Sequence, residues 1–87
     1  MTYSAQTEEM RVLLRWLKEG RLKKKLTMRD LAKKLDKQHS YVQKVENRDR
    51  RLDLIEYIWY CKAIGLEPVE GLEKVQRFIE VKKISQR

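Results

Sequence analysis

The chain has 87 residues, 39% of them charged, and a formal net charge of +8 at neutral pH. This length fits one small domain, and we expect residues 1–87 to form a single unit. The single cysteine, Cys61, excludes a disulfide within the chain. No run of about 18 apolar residues is present, so we expect no membrane-spanning helix. The N-terminus is polar and acidic, unlike a signal peptide, and a cytoplasmic protein is the simplest expectation.

The composition favours helices, and the charge is unevenly placed along the chain. Glycine and proline are scarce, with three and one residues, which favours an all-helical domain over a sheet. Residues 11–51 contain 15 Lys and Arg against 5 Asp and Glu, a local net charge of +10, whereas residues 52–87 contain 6 of each. A basic half predicts a surface that faces a polyanion. The alternative is a solvated basic face that keeps the protein soluble.

Five helices are predicted, and the second and third form a compact pair. Thr7 caps the first helix, and Thr27 with Asp30 resembles a capping box at the start of the second. The third helix covers about residues 38–46 and follows after a short turn. Two short helices joined in this way, here at about residues 27–46, are typical of a helix-turn-helix unit.

The fourth and fifth helices, at about residues 53–83, are predicted to supply core and dimerisation surface. Asp53 begins the fourth helix, Gly65 ends it and Pro68 begins the fifth. Nine of the eleven residues 54–64 are apolar, and a helix that is apolar all round must be buried all round. We therefore expect a two-fold homodimer. The expected interface residues are Trp59, Tyr60, Leu72, Val75, Phe78 and Ile79. The alternative is a central helix of a monomer, with Trp59 and Tyr60 half exposed through their polar tips.

The stretch KQHSYVQKVENR, residues 37–48, has an ordered polar side. At about 100° per residue, Val42 and Val45 lie together on one side of the helix. Surface helices usually fill their outer side with Glu, Lys and Ala. Short groups that donate and accept hydrogen bonds instead match the edges of base pairs in a DNA major groove. The plainer interpretation is a solvated polar face. The outer positions are His39, Ser40, Gln43, Lys44 and Asn47.

The chain offers little for catalysis. It has one histidine, one cysteine and no glycine-rich phosphate loop. Cys61 lies in the most apolar segment, where a thiol packs as a small hydrophobic group. His39 has no companion at metal-ligand spacing. We therefore expect no enzyme, no metal site and no cofactor.

The segment LTMRDLAKKLDKQHSYVQKVENRDRRLDLIEYIWYCKAIGLEP resembles the helix-turn-helix domain of the lambda-repressor/Cro/Xre family. The resemblance covers about residues 13–68. Its most specific parts are LT.RDLAKKL, SYVQKVEN and RRLDLIEYIWYCKAIGL, taken together and in this order. It implies an all-α, compact five-helix bundle that contains a helix-turn-helix and binds DNA. It also implies a protein that is encoded by a bacterium or a phage.

The same resemblance implies roles for individual residues. The base-reading positions of the family correspond to His39, Ser40, Gln43 and Lys44. The family pairs an arginine of the first helix with a glutamate of the third, here Arg21 and Glu46. The residues expected to contact phosphates are Lys25, Thr27, Met28, Arg29, Gln38, Tyr41, Asn47, Arg48, Arg50 and Arg51.

Four positions stand out in the first helix, at the start of the second and in the turns. Met28 replaces a glutamine that steadies the first recognition residue in the family, so only its backbone amide is expected to contact phosphate. Lys25 and Asp36 replace glycines expected in two turns. Gly20 lies within the first helix and predicts the close approach of another backbone.

These observations predict a sequence-specific DNA-binding transcriptional regulator, a repressor that binds a palindromic operator as a homodimer with its third helix in the major groove. The partner is therefore double-stranded DNA. One alternative is an antitoxin-type or other protein-interaction module that uses the apolar fourth and fifth helices. Another is binding to a membrane surface through the basic first helix, although the core requires the apolar side of that helix.

Overall fold

Residues 7–85 are described by the computed structural model, with side chains up to residue 82, and this part of the chain forms five α-helices and no strand. The helices are α1 Glu8–Lys23, α2 Met28–Lys34, α3 Ser40–Glu46, α4 Leu54–Ile64 and α5 Pro68–Ser85. The all-α class and the five-helix order are confirmed, and the predicted helix ends lie within two residues of those observed.

Side-chain caps explain where α1, α2 and α4 begin. The Thr7 hydroxyl accepts a hydrogen bond in the first turn of α1. Thr27 and Asp30 form a reciprocal capping box, in which each side chain accepts from the backbone N–H of the other. Asp53 and Glu56 repeat this arrangement at the start of α4. The capping signals that the sequence contains are therefore used locally, where they occur.

One type of stop ends the first four helices. A left-handed residue follows the cap of α1, α2 and α3, with φ of 59° at Lys25, 57° at Asp36 and 63° at Arg48, and the cap of α4, Gly65, is itself left-handed with φ of 93°. The next amide then donates to a carbonyl five residues back, as in a Schellman motif. These bonds, of 2.8–3.1 Å, run from Leu26 to Arg21, Lys37 to Ala32, Asp49 to Lys44 and Leu66 to Cys61.

All of the first four helices contribute to one hydrophobic core, against which α5 also packs. Gly20 is buried against the side chain of Leu66, which follows α4. A Cβ at position 20 would lie only 2.6 Å from that side chain, so there is no room for a larger residue. The expected backbone neighbour of Gly20 is thus a side chain. The buried apolar residues are Leu13, Leu14, Leu17, Leu31, Ala32, Tyr41, Val42, Val45, Tyr57, Tyr60, Cys61 and Ile64.

The apolar helix α4 is buried on one side only. Tyr60 is 1% exposed and belongs to the core, so the prediction that it contributes to a dimer interface is wrong. Its neighbour Trp59 is 55% exposed, and Leu54 and Ile55 are also mostly exposed. Within one chain, α4 therefore keeps an apolar side without a covering helix.

The helix-turn-helix is positioned by its buried side chains. Leu31 and Ala32 of α2 and Val42 and Val45 of α3 are at most 1% exposed. Their burial against α1 and α4 turns the opposite side of α3 outward. None of the described helices combines the length and the apolar composition of a membrane-spanning segment.

Candidate nucleic-acid interface

The outward side of α3 presents a row of polar side chains. His39, Gln43, Lys44 and Asn47 are exposed, and Ser40 is half-buried. No side chain caps the N-terminus of α3, where His39 occupies the capping position with helical backbone angles. The row combines an imidazole, a hydroxyl, two amides and an ammonium group, and therefore contains both donors and acceptors of hydrogen bonds.

The structure brings Arg21 and Glu46 together between α1 and α3. The Arg21 Nε donates to Glu46 Oε2 at 2.7 Å and Nη2 donates to Oε1 at 3.2 Å. Arg21 Nη1 also donates to the Leu26 carbonyl at 2.8 Å. Both charged side chains are nearly buried, at 6% and 5% exposed. This two-bond pair fixes the angle of α3 against α1 and ties the turn before α2 to the same guanidinium.

A group of cations surrounds Tyr41 at one edge of α3. The guanidinium carbon of Arg50 lies 5.0 Å from the centre of the Tyr41 ring, and the Lys37 Nζ lies 5.5 Å from it. Arg50 Nη2 also lies 2.7 Å from Glu56 Oε2, which accepts a 3.4 Å hydrogen bond from the Tyr41 hydroxyl. A shallow cleft here, the Tyr41 pocket, is lined by Lys37, Gln38, Ser40, Tyr41, Lys44 and Arg50.

The Tyr41 phenol is held in its neutral form. Burial and the nearby Glu56 carboxylate raise the pKa of Tyr41 to about 12. At neutral pH the hydroxyl, which is neutral even at its ordinary pKa, donates to Glu56, and the Tyr41 pocket carries the positive charges of Lys37 and Lys44 beside the Arg50–Glu56 ion pair. The pocket is thus suited to a phosphate group.

The residues expected to contact phosphate lie on several elements around α3. Tyr41 differs from the others because its ring is buried and its hydroxyl is engaged with Glu56. Met28 and Arg48 are half-buried. The exposed members are Lys25, Thr27, Arg29, Gln38, Asn47, Arg50 and Arg51.

A second basic cleft, the α1 pocket, was not predicted from the sequence. It lies between α1 and the C-terminal end of α3, and three of its cations come from α1. Their spacing along the helix was the available signal, since residues three and four apart share one side. Lys37 was also missed as a neighbour of Tyr41. The lining of the α1 pocket is Arg11, Leu14, Arg15, Lys18, Glu46 and Arg48.

Within the described part of the chain, no group of His, Cys, Asp and Glu could hold a metal ion. Cys61 is buried in the core, and burial raises the pKa of its thiol, which makes the reactive thiolate form less accessible.

The arrangement of α2 and α3 defines a helix-turn-helix protein. A family model described as helix-turn-helix, HTH_3, matches residues 17–70. Among solved structures, the chain is similar to an XRE-family like protein from Pseudomonas syringae pv. tomato str. DC3000, with 37% sequence identity and a TM-score of 0.77. That match covers 80% of this chain and 85% of the other. No curated protein matches the chain at a significant level.

The chain belongs to the Xre family of helix-turn-helix proteins. The resemblance noted in the sequence is therefore confirmed. This class consists of DNA-binding regulators.

Proposed function

We propose that this protein is a sequence-specific transcriptional regulator that represses by occupying a palindromic DNA operator. The observation that carries the proposal is the exposed polar side of α3, held on a helix that buried valines and the Arg21–Glu46 pair fix in place. Such a regulator works where the DNA is, in the cytoplasm of the bacterial or phage-infected cell that the resemblance implies.

Four side chains of α3 are proposed to read bases. The Gln43 amide both donates and accepts, which suits the two groups that adenine presents in the major groove. Lys44 donates to the acceptors of guanine, whereas His39 and Ser40 supply further short donors and acceptors. His39 at the N-cap and the other three within α3 share one side, so one recognition helix reads a few adjacent base pairs.

Phosphate contacts are proposed to hold α3 in register. Lys25 and Arg29, with the backbone amides of Met28 and Arg29, lie at the start of α2, where helix N–H groups attract anions. Thr27, the N-terminal cap of α2, is proposed to contact a phosphate at the same helix end. The remaining proposed contacts are Gln38, Tyr41, Asn47, Arg48, Arg50 and Arg51, around the edges of α3 and in the loop that follows it.

A two-fold homodimer is proposed to place two α3 helices on the operator. Val75 and Phe78 are half-buried within the chain, and their exposed area is proposed to belong to the dimer interface. A two-fold pair sets its recognition helices in successive major grooves, about 34 Å apart, which requires a palindromic site. The exposed apolar side chains available for this contact are Leu54, Ile55 and Trp59 of α4 and Val69, Leu72 and Ile79 of α5.

Selection of bound sequences from random DNA tests the proposal, with Gln43→Ala as the informative variant. We expect the wild-type protein to select one palindromic motif. Gln43→Ala should relax the preference at one or two base pairs in each half-site, by about 1–3 kcal/mol, because one pair of base contacts is lost.

Glu70→Ala provides a control, because Glu70 is exposed on α5 and lies on the side of that helix away from Leu72 and Ile79. It should leave the selected motif unchanged. A Gln43→Ala protein that selects the wild-type motif would show that α3 does not read bases through this residue. A wild-type protein that selects no motif would contradict the proposed function.

A further inference from the structure

We propose that the α1 pocket binds a phosphate of the DNA backbone, on the strand across the major groove from the strand that meets the Tyr41 pocket. This inference rests on the proposed function, because it assigns a second phosphate strand to the same recognition helix. It adds Arg11, Arg15 and Lys18 to the DNA interface.

The two pockets border the polar side of α3 at its two edges. Tyr41 lines the first pocket and Glu46 lines the α1 pocket. At about 100° per residue, Gln43 and its polar neighbours occupy the outward arc between these two positions. Val42 and Val45 occupy the inward arc. The pockets therefore flank the reading side, one on each edge.

A major groove has the same two-sided arrangement. It is about 12 Å wide and is bounded by one phosphate strand on each side. An α-helix with its side chains is about 10–12 Å across, so a helix lying in the groove has a strand close to each of its edges. A basic pocket at each edge of α3 matches the two strands.

The charge of the α1 pocket favours an anion. Glu46 is the only acidic residue in its lining, and its two oxygens are engaged by Arg21. Among the described ion pairs, none joins Arg11, Arg15 or Lys18 to a carboxylate. The pocket thus has an excess of positive charge at the end of the recognition helix.

Helix stability explains this placement only in part, because Glu8 and Glu19 are acidic neighbours of Arg11 and Arg15 at helical spacing, whereas Lys18 has none in α1. Arg11 and Arg15 lie four residues apart, and Arg15 and Lys18 lie three apart, so like charges face each other along exposed positions of α1. Such pairs destabilise a helix slightly. A phosphate bound among these side chains removes the repulsion, which supports an anion as the occupant.

The test compares two double variants. The α1 variant carries Arg15→Gln and Lys18→Gln, and the α5 variant carries Lys74→Gln and Arg77→Gln. Each pair removes two exposed cations that lie three residues apart on a helix, and the second pair lies on α5, away from the pocket. DNA affinity is measured at several salt concentrations for the motif that the wild-type protein selects. We expect the α1 variant to keep the selected motif but to lose about one to two units from the slope of log affinity against log salt, because fewer counterions are released. The α5 variant should keep the wild-type slope.

The outcomes separate this inference from the proposed function. Absence of any sequence preference in the wild-type protein contradicts the proposed function. A wild-type motif together with equal salt slopes for the two double variants overturns the assignment of the α1 pocket alone. A third arm measures binding of inorganic pyrophosphate without DNA by calorimetry. Micromolar binding that is lost in the α1 variant, with an unchanged salt slope on DNA, overturns the assignment in favour of a free anion.

Discussion

Three residues in the turns have a backbone conformation that their side chains disfavour. Lys25, Asp36 and Arg48 have φ near +60°, where a Cβ approaches the backbone, and Gly65 occupies the equivalent place without that conflict. Each residue remains there because the next amide completes the hydrogen bond that ends the helix. Tight connections between the helices are thus kept at a local cost.

Lys25→Gly is expected to stabilise the protein. Glycine adopts the left-handed conformation without strain, which stabilises the folded protein, but its greater freedom in the unfolded chain offsets part of that gain. The net increase in the free energy of unfolding should be about 0.5–1 kcal/mol. Urea unfolding followed by circular dichroism measures the change. Gly65→Ala is the reverse control, and it should lower the stability. A lower unfolding midpoint for Lys25→Gly would show that the lysine side chain holds the turn.

Acid should weaken the start of α2. The backbone N–H of Thr27 donates to the Asp30 carboxylate at 3.0 Å and holds the pKa of Asp30 below its ordinary value of 3.8. A carboxyl whose pKa is lowered by folding stabilises the protein above the unfolded pKa, and this contribution is lost as the pH falls through the folded value. We expect Asp30→Asn to reduce the loss of stability below pH 3.8, measured by urea unfolding at pH 7 and in acid. An identical acid dependence in the two proteins would contradict the assignment.

At the scale of the elements, α3 depends on α1 for its orientation. The seven residues of α3 are too few to be stable as an isolated helix, so its position comes from tertiary contacts. Val42 and Val45 provide the apolar contact, and the Arg21–Glu46 pair provides a directional one. The angle at which α3 presents its polar side is therefore set by a buried ion pair.

Removal of one partner of this pair should be costly. Glu46→Ala leaves the Arg21 guanidinium nearly buried without its carboxylate, and we expect a loss of about 3 kcal/mol in the free energy of unfolding. Arg21→Met combined with Glu46→Leu removes both charges, and it should recover most of that loss apart from the hydrogen bond to the Leu26 carbonyl. Equal stability of Glu46→Ala and the wild type in urea would show that the pair contributes nothing.

The molecule as a whole has two differently equipped surfaces. Polar and basic side chains surround α3, whereas α4 and α5 expose Leu54, Trp59 and Leu72 among other large apolar groups. Exposed apolar groups of this size are characteristic of contact with another protein chain. The polar surface carries the proposed DNA recognition, and the apolar side chains carry the proposed pairing of two copies.

The proposed homodimer should have twice the 10.6 kDa mass of the chain at micromolar concentration. Sedimentation equilibrium should give this value for the wild type and 10.6 kDa for Trp59→Glu, because a charge in an apolar interface remains without a partner. Lys74→Glu, at an exposed position of α5, is the control and should remain dimeric. A monomeric wild type would contradict the homodimer and would favour a different protein as the partner of α4 and α5.

Local signals in the sequence were sufficient for the helices and for the choice of residues on α3. Thr27 with Asp30, and the Gly65 stop, act within a few residues of their own position, so they can be interpreted without the fold. The alternation of valines and polar groups in α3 likewise distinguishes an inner from an outer side, because the helix repeat is known in advance.

Contacts between distant segments required the packed molecule. Tyr60 and Trp59 are adjacent in a stretch that is apolar on every side, and such a pattern contains no information on which side meets the core. The packing of α4 against the rest of the core buries Tyr60 and exposes Trp59. The α1 pocket arises in the same way, since Arg15 and Arg48 are 33 positions apart in the chain and become neighbours only when α1 packs against α3.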